Sequence, residues 1–487
     1  MLFNSLEFLI FLPLVFAGYW LLARSLKLQN LFVVVASYVF YGWWDWRFLL
    51  LISFTSVWAW ASGLAIERFG KGADASAPRT KEKWVVAGAL FVNLGILGVF
   101  KYYNFFLDNA VALLNAIGFQ PHPSSLKIIL PVGISFYTFQ ALSYVIDVYR
   151  KDIRPTRDLV AFLAFVSFFP QLVAGPIERA TNLLPQFLKP RQFDHALAVE
   201  GCRQILWGFL KKCVIADRFA ALANAIFLNG DTAGAGTLII GSVAFTIQIY
   251  GDFSGYSDIA IGCGKLFGVR LMRNFATPYF ARSIAEFWRR WHISLTTWFR
   301  DYLYIPLGGS RCGTAKRIRN TFAIFLVSGF WHGANWTFVL WGAFHALCFL
   351  PLLLLGTNRK NLTDEGRLLP RFWDVPRMLV TMALVVFGWM LFRAPDISTF
   401  ATWVGRIAGA EGWRDMWFAL PRSTGLQMNL LLAGCFFAWE WCTRKHDCPL
   451  FALPKIKALR WVIYIALLLV IFINMPDVAE EFIYFQF

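Results

Sequence analysis

The residue with most to explain is His332, set in SGFWHGANW (Ser328–Trp336) within an apolar stretch that runs from Thr321 to Gly356. At a helical rise of ~1.5 Å per residue, the steps from Thr321 to His332 cover roughly 16 Å, about half of a bilayer's hydrocarbon core. Ionisable groups at that depth are costly and face a cavity, a partner or a substrate path. The plain alternative is a neutral histidine satisfied by a neighbouring helix. A neutral imidazole, with an ordinary pKa of about 6.5, can take the proton of an incoming hydroxyl, and burial favours the neutral form. Asn335, one helical turn further on, could orient the ring or donate to a developing oxyanion.

A second constellation precedes it, ARSIAEFWRRWHISLTTWFRDYLYIPLGG (Ala281–Gly309). Ile284, Trp288, Trp291, Leu295, Trp298 and Tyr302 recur at helical spacing, with Glu286, Arg290 and Thr297 on the other side, which predicts one amphipathic helix. Such a helix could lie in the membrane interface with its arginines toward the cytoplasm. His292 falls on the border of the two faces. Asp252 and Asp258, in YGDFSGYSDIAIG (Tyr250–Gly262), are two more polar groups in apolar surroundings. Their spacing separates them by about 240° around a helix, so a regular helix cannot offer both to one small site. One of the two is expected to be structural, pairing with an arginine or capping a broken helix.

These residues must be positioned by membrane elements. Of 487 residues 58% are hydrophobic and 15% charged, which excludes an ordinary soluble domain. Apolar segments of membrane length recur at Leu6–Leu22, Leu31–Trp44, Phe48–Ile66, Trp84–Phe106, Ile128–Tyr149, Leu159–Gly175, Leu238–Cys263, Thr321–Gly356, Val375–Phe392, Gly425–Trp441 and Trp461–Met475. The expected fold is all-α, a single polytopic domain over residues 1–487. It should have about ten to twelve membrane segments, re-entrant or interfacial helices among them, around a central site. The first segment lacks a basic leader and a small-residue cleavage site, so it is expected to stay as a helix.

The net charge of +17 sits in loops between apolar segments, a topology signal rather than a nucleic-acid surface. Arg68–Lys83, Arg150–Arg157 and Arg444–Arg460 are expected to face the cytoplasm, and the acidic tail (Asp477, Glu480, Glu481) the periplasm. Both termini are then periplasmic. The basic run from Lys265 to Arg319 belongs inside too, so Leu159–Gly175, broken by Pro170, and the charged segment Gln204–Leu228 are expected not to span fully. Thr321–Gly356, basic at both flanks, could fold back. The eight cysteines form no CxxC pair and no metal site is expected. His332 and His345 lie about 220° apart on a straight helix and would not share a metal. No nucleotide-binding loop or nucleophile elbow occurs.

With these residues in view the chain resembles the membrane-bound O-acyltransferase (MBOAT) family, in its bacterial polysaccharide-acetylating branch. The likeness is carried by ASYVFYGWW (Ala36–Trp44), PVGISFYTFQALSYVIDVYR (Pro131–Arg150), FPQLVAGPIER (Phe169–Arg179), DFSGYSDIAIG (Asp252–Gly262), EFWRRWHISLTTWFRDYLYIPLGG (Glu286–Gly309), WHGANW (Trp331–Trp336) and the terminal FIYFQF (Phe482–Phe487). The core motifs fall within residues 130–350.

The resemblance implies an acyltransferase whose essential histidine is His332, a base for the incoming hydroxyl or a transient carrier of the acyl group, and whose second polar site residue is His292, holding the thioester or assisting thiolate departure. The implied donor is cytosolic acetyl-CoA, used as a substrate with no bound cofactor, and Arg289, Arg290 and Trp291 are candidates for its site. The implied setting is a bacterial inner membrane. The acetyl group would cross to an extracellular polysaccharide such as alginate, with a periplasmic SGNH-type acetyltransferase and a polysaccharide-synthesis complex as partners. A D-alanyl-transferring branch shares the EFWRRWH core, but the continuation YIPLGGSR (Tyr304–Arg311) looks more like the acetylating one. A rival of another class is a transporter or flippase, in which Asp252, Asp258 and His332 would form a substrate or proton path. The sequence has no evident inverted repeat to support it.

Overall fold

A computed structural model describes residues 1–70, 79–121, 128–173, 175–360, 368–409, 412–413, 424–475 and 482–483. Residues 71–78 of the Arg68–Lys83 loop, the acidic tail and the last four residues of FIYFQF lie outside the described residues. The described chain is helical and contains no strand. Five helices among the described residues are long and apolar enough to cross a membrane: Phe48–Gly70, Thr80–Ala116, Ala235–Leu266, Trp336–Leu354 and Asp374–Arg393. Shorter apolar helices accompany them. The all-α membrane fold is thus the one expected.

The chain divides into two compact units. The first comprises Phe3–Ala198 and Cys263–Met272. Its helices are α1 (Leu6–Leu21), α2 (Leu26–Gly42), α3 (Phe48–Gly70), α4 (Thr80–Leu97), α5 (Tyr103–Ala116), α6 (Ile134–Arg150), α7 (Leu159–Ser167), α8 (Phe169–Leu172) and α9 (Ala180–Phe187). Side-chain oxygens set several starts, as Ser5 accepts from the Phe8 amide and Asp158 from that of Ala161. A π-turn at Gly98–Tyr102 joins α4 to α5 without a break. The segment around Pro170 is interrupted as its sequence implies. The chain turns at Phe168 and restarts as α8 with proline in its first turn, where a missing N–H costs little. At nine residues α7 covers only about 13 Å, too short to cross a bilayer.

The second unit, Val199–Gly262 and Arg273–Phe487, carries the constellations singled out above. The helical run α10 (His195–Phe209), a π-turn (Leu210–Ala216) and α11 (Asp217–Leu228) packs on the 32-residue α12 (Ala235–Leu266). Gly208 and Gly255 permit that approach. A Cβ on Gly208 would stand 2.7 Å from the Gly255 carbonyl oxygen, and one on Gly255 2.9 Å from that of Gly208. α12 runs unbroken through Asp252 and Asp258, so neither aspartate caps a helix break.

One sequence expectation needs correction here. Ala281–Gly309 is not one amphipathic helix but α13 (Ile284–Arg290), α14 (Ile293–Phe299) and a π-turn (Arg300–Tyr304). The polar face is not outside either: Glu286 is only 1% exposed and accepts from Arg282 at 3.1 Å and Arg290 at 2.6 Å. Thr321–Gly356 folds back, as its basic flanks allowed. α15 (Thr314–His332) and α16 (Trp336–Leu354) form a hairpin turning at Gly333–Asn335. His332 therefore ends a helix rather than lying midway along one.

The remaining helices are α17 (Asp374–Arg393), α18 (Ile397–Ala408), α19 (Thr424–Thr443) and α20 (Lys457–Ile473). Small residues close the hairpin. A Cβ on Gly342 would overlap the Phe325 carbonyl, and one on Gly329 that of Phe338. Backbone cannot rotate away as a side chain can. Gly342→Val is accordingly expected to cost at least about 1–3 kcal/mol as an overpacking change, read as a lower melting temperature of detergent-purified protein. Gly434, with no atom near its added Cβ, is the control that should tolerate alanine.

Candidate active site

His292 is placed by a strained turn. The chain between α13 and α14 passes through the left-handed region at His292 (φ 44°, ψ 54°), a conformation that costs an L-residue about 1–2 kcal/mol. Two backbone bonds brace it, Ile293 N–H to the Asn274 carbonyl at 2.9 Å and Ala276 N–H to the Arg290 carbonyl at 3.0 Å. The imidazole is 1% exposed and walled by Phe253 at 4.6 Å, Trp331 at 6.2 Å and Phe275 at 6.5 Å between ring centres. It lies outside the five membrane-length helices, and burial pushes it down to about 3. The neutral form therefore persists throughout the physiological range.

His332 closes α15 and meets the same indole. Its ring centre is 5.0 Å from that of Trp331, 5.2 Å from Trp341 and 5.6 Å from Phe392, and the residue is 3% exposed. The fold thus brings His292 and His332 to one tryptophan, a proximity their spacing in sequence does not disclose. His345 joins through α16, 4.8 Å from Trp341 and 5.0 Å from Trp288. A straight helix would have separated His332 from His345, but the hairpin seats both against Trp341. No cluster of metal-binding side chains occurs among the described residues.

Asn335 is not a further turn of the His332 helix. It is the N-cap of α16, with Oδ1 accepting from the Thr337 amide at 3.0 Å and Nδ2 donating to the Pro395 carbonyl at 2.7 Å. In this geometry its amide fixes the hairpin turn that carries His332.

A cavity of about 720 Å³ opens beside these rings. Arg273, Arg289, Arg290, Arg300, Arg359 and Arg444 line it against a single carboxylate, Glu286, and its apolar wall includes Trp288, Ile293, Phe325 and Phe349. Both sequence-predicted arginines are there. Arg289 donates to the carbonyls of Asn358 (2.7 Å) and Lys360 (2.8 Å), holding that loop, whereas Arg290 bonds Glu286. Trp291 does not line the cavity. It is 1% exposed and packed on Trp389 at 4.9 Å and Phe275 at 5.0 Å, so it is a wall of the core. Neither His292 nor His332 lines the cavity either. Trp288, which does, stands 5.5 Å from Trp341, and Trp341 contacts His332.

Asp252 and Asp258 turn away from this site and bind lysines of the π-turn, not arginines. Lys211 Nζ lies 3.0 Å from Asp258 and 3.2 Å from Glu440, and Lys212 Nζ 2.8 Å from Asp217 and 3.0 Å from Asp252. Both aspartates are structural in this arrangement, and two adjacent lysines solve the 240° problem by serving one each. Sequence reasoning missed Asn274, Trp341, Arg359 and Arg444. Asn274 had only its place in a basic run to mark it, and the other three reach the site through turns whose geometry no local pattern encodes.

A buried histidine pair within a helical membrane fold lies near a basic cavity with an apolar wall, and comparison with known proteins gives this arrangement a family. The membrane-bound O-acyltransferase family model matches residues 151–368, and the chain belongs to that family. It is an acyltransferase. A probable alginate O-acetylase AlgI of Pseudomonas aeruginosa is 43% identical over 434 residues, covering 89% of this chain and 79% of the relative. A peptidoglycan O-acetyltransferase of Helicobacter pylori is 34% identical over 85% of this chain and 80% of its own length. A teichoic acid D-alanyltransferase of Bacillus subtilis is 27% identical over 56% of this chain and 71% of the relative.

Proposed function

We propose that this protein moves an acetyl group from acetyl-CoA to a hydroxyl on the way to an extracellular polysaccharide such as alginate, in a bacterial inner membrane. The observation that carries this reading is the cavity. Six arginines line it, and although Arg273, Arg290 and Arg300 also pair with Asp447, Glu286 and Asp301, that excess of positive charge suits the phosphates of CoA. The apolar wall, whose Trp288 packs on the Trp341 that His332 touches, suits the pantetheine arm. The likeness to alginate O-acetylases favours acetyl over D-alanyl, since it is both higher and longer than that to the D-alanyltransferase.

In this reading the acceptor hydroxyl gives its proton to His332 while its oxygen attacks the thioester carbonyl. The carbon–sulfur bond then breaks, and the sulfur leaves with a proton as the CoA thiol. His292 lies on the thioester side. The rings that confine both histidines shield the thioester from hydrolysis in this reading. The donor enters from the cytoplasm, both chain termini are periplasmic, and a periplasmic SGNH-type partner within a polysaccharide-synthesis complex passes the acetyl group to polymer. The family resemblance supports that partner.

Two experiments test the reading. Arg444→Ala should raise KM for acetyl-CoA about tenfold, the worth of one charged hydrogen bond, while leaving KM for acetyl-pantetheine, which lacks the nucleotide phosphates, unchanged. An equal effect on both donors would remove the phosphate assignment. Sealed vesicles loaded with acetyl-CoA should acetylate external polymer only when the SGNH-type partner is added outside. Efficient acetylation by this chain alone would show the relay to be wrong.

A further inference from the structure

Asn274, wholly buried in the second unit, carries a network around His292 that the reaction scheme above does not use. Its Oδ1 faces the His292 Nδ1 at 3.0 Å, the Ser294 hydroxyl at 2.9 Å and the Ser294 amide at 3.4 Å. A backbone N–H can only donate, which identifies that atom as the carbonyl oxygen. The Asn274 Nδ2 is then free to donate to Ser257 Oγ, at 3.0 Å. An amide oxygen cannot donate to imidazole, so the proton between Asn274 and His292 belongs to the histidine Nδ1; the Ser294 hydroxyl, 3.5 Å from the same nitrogen, gives its own proton to Asn274 Oδ1 at the shorter 2.9 Å. The other ring nitrogen, Nε2, is buried with no hydrogen-bond partner among the described residues.

We infer that Asn274 is a positioning residue of the acyl-transfer site: it holds neutral His292 in the tautomer with the proton on Nδ1, leaving the Nε2 lone pair to accept a hydrogen bond from substrate. The inference rests on the proposed participation of His292. A thioester carries no donor for that lone pair. What meets it in the resting complex is an O–H or N–H group of the acceptor or of the pantetheine arm, and His292 can hand a proton to sulfur only after first receiving one. The Asn274 backbone carbonyl bonded to Ile293 N–H ties the same residue to the left-handed turn, so ring and backbone are aimed together.

The test compares purified wild-type protein with Asn274→Ala, Asn274→Asp and His292→Ala, using acetyl-CoA as donor. Asn274→Ala should lower kcat about 10- to 100-fold, as loss of orientation does, with KM for acetyl-CoA nearly unchanged. Asn274→Asp keeps an acceptor opposite Nδ1, so it should restore part of kcat. Its carboxylate also stabilises imidazolium, so the acidic limb of the kcat profile should move to higher pH. Nitrogen NMR of histidine-labelled wild type should report His292 protonated on Nδ1. Wild-type kcat in Asn274→Ala, an unshifted profile in Asn274→Asp, or a proton on Nε2 would each overturn the inference. Should Asn274→Ala fail to fold, the Asn274→Asp profile and the NMR tautomer decide. Full activity in His292→Ala would instead overturn the participation of His292 itself, whereas an inactive His292→Ala beside a fully active Asn274→Ala removes only the positioning role.

Discussion

His332→Ala should reduce acyl transfer by about 100- to 1,000-fold or more, the range that a positioned general base contributes, with protein in the membrane near the wild-type level. The ring meets Trp331, Trp341 and Phe392 at the end of α15, where the hairpin is already secured by Asn335 and the glycines of α15 and α16. Loss of the imidazole therefore removes chemistry more than structure. His332→Gln, which better preserves side-chain volume, should be equally inactive. His292→Ala should be severely impaired as well, and Asn335→Ala less so, because that amide acts through the turn. Measured against immunoblotted protein, normal transfer by His332→Ala would remove His332 from the reaction.

The largest expected effect on stability comes from Lys212→Met. Lys212 is 1% exposed between Asp217 and Asp252, and removing one member of a buried ionic group leaves uncompensated charge, a loss of about 3–5 kcal/mol. Asp252 also accepts from the Ile483 amide at 2.7 Å, so the same lysine helps fasten the chain near its C-terminus to α12. The expected result is a sharply lower melting temperature in detergent, partly restored in Lys212→Met/Asp252→Asn because one of the two stranded carboxylates is then neutral. An unchanged melting temperature in the single variant would show that the cluster contributes nothing to stability.

Much of this was legible before the structure. The membrane class followed from composition, helices such as Asp374–Arg393 from hydropathy, and the interruption at Pro170 from the missing N–H. The histidines stood out because imidazoles in apolar surroundings demand a reason. What stayed hidden was geometry set by single backbone turns. Periodicity read Ala281–Gly309 as one helix because its apolar spacing continues across Trp291–His292. The left-handed residue that breaks it is a histidine rather than a glycine, and its brace, Asn274, lies 18 residues earlier. Thr321–Gly356 was open to folding back because both flanks are basic, but hydropathy did not place the turn. Its turn is set by Asn335, whose capping bonds leave no mark in hydropathy. The lysines of Gln204–Leu228 marked that segment as one that should not span fully, but nothing local showed that four carboxylates on three helices meet them inside.

The central claim is that a thioester donor reacts at the His292–His332 site, and single-turnover transfer with radiolabelled acetyl-CoA tests it most directly. Purified wild-type protein, mixed with the label and an acceptor bearing the hydroxyl, should release CoA thiol and form labelled ester in equal amounts. His332→Gln should bind the donor with similar affinity and form no ester. Equal ester formation by both proteins, or no binding of acetyl-CoA by either, would contradict the account.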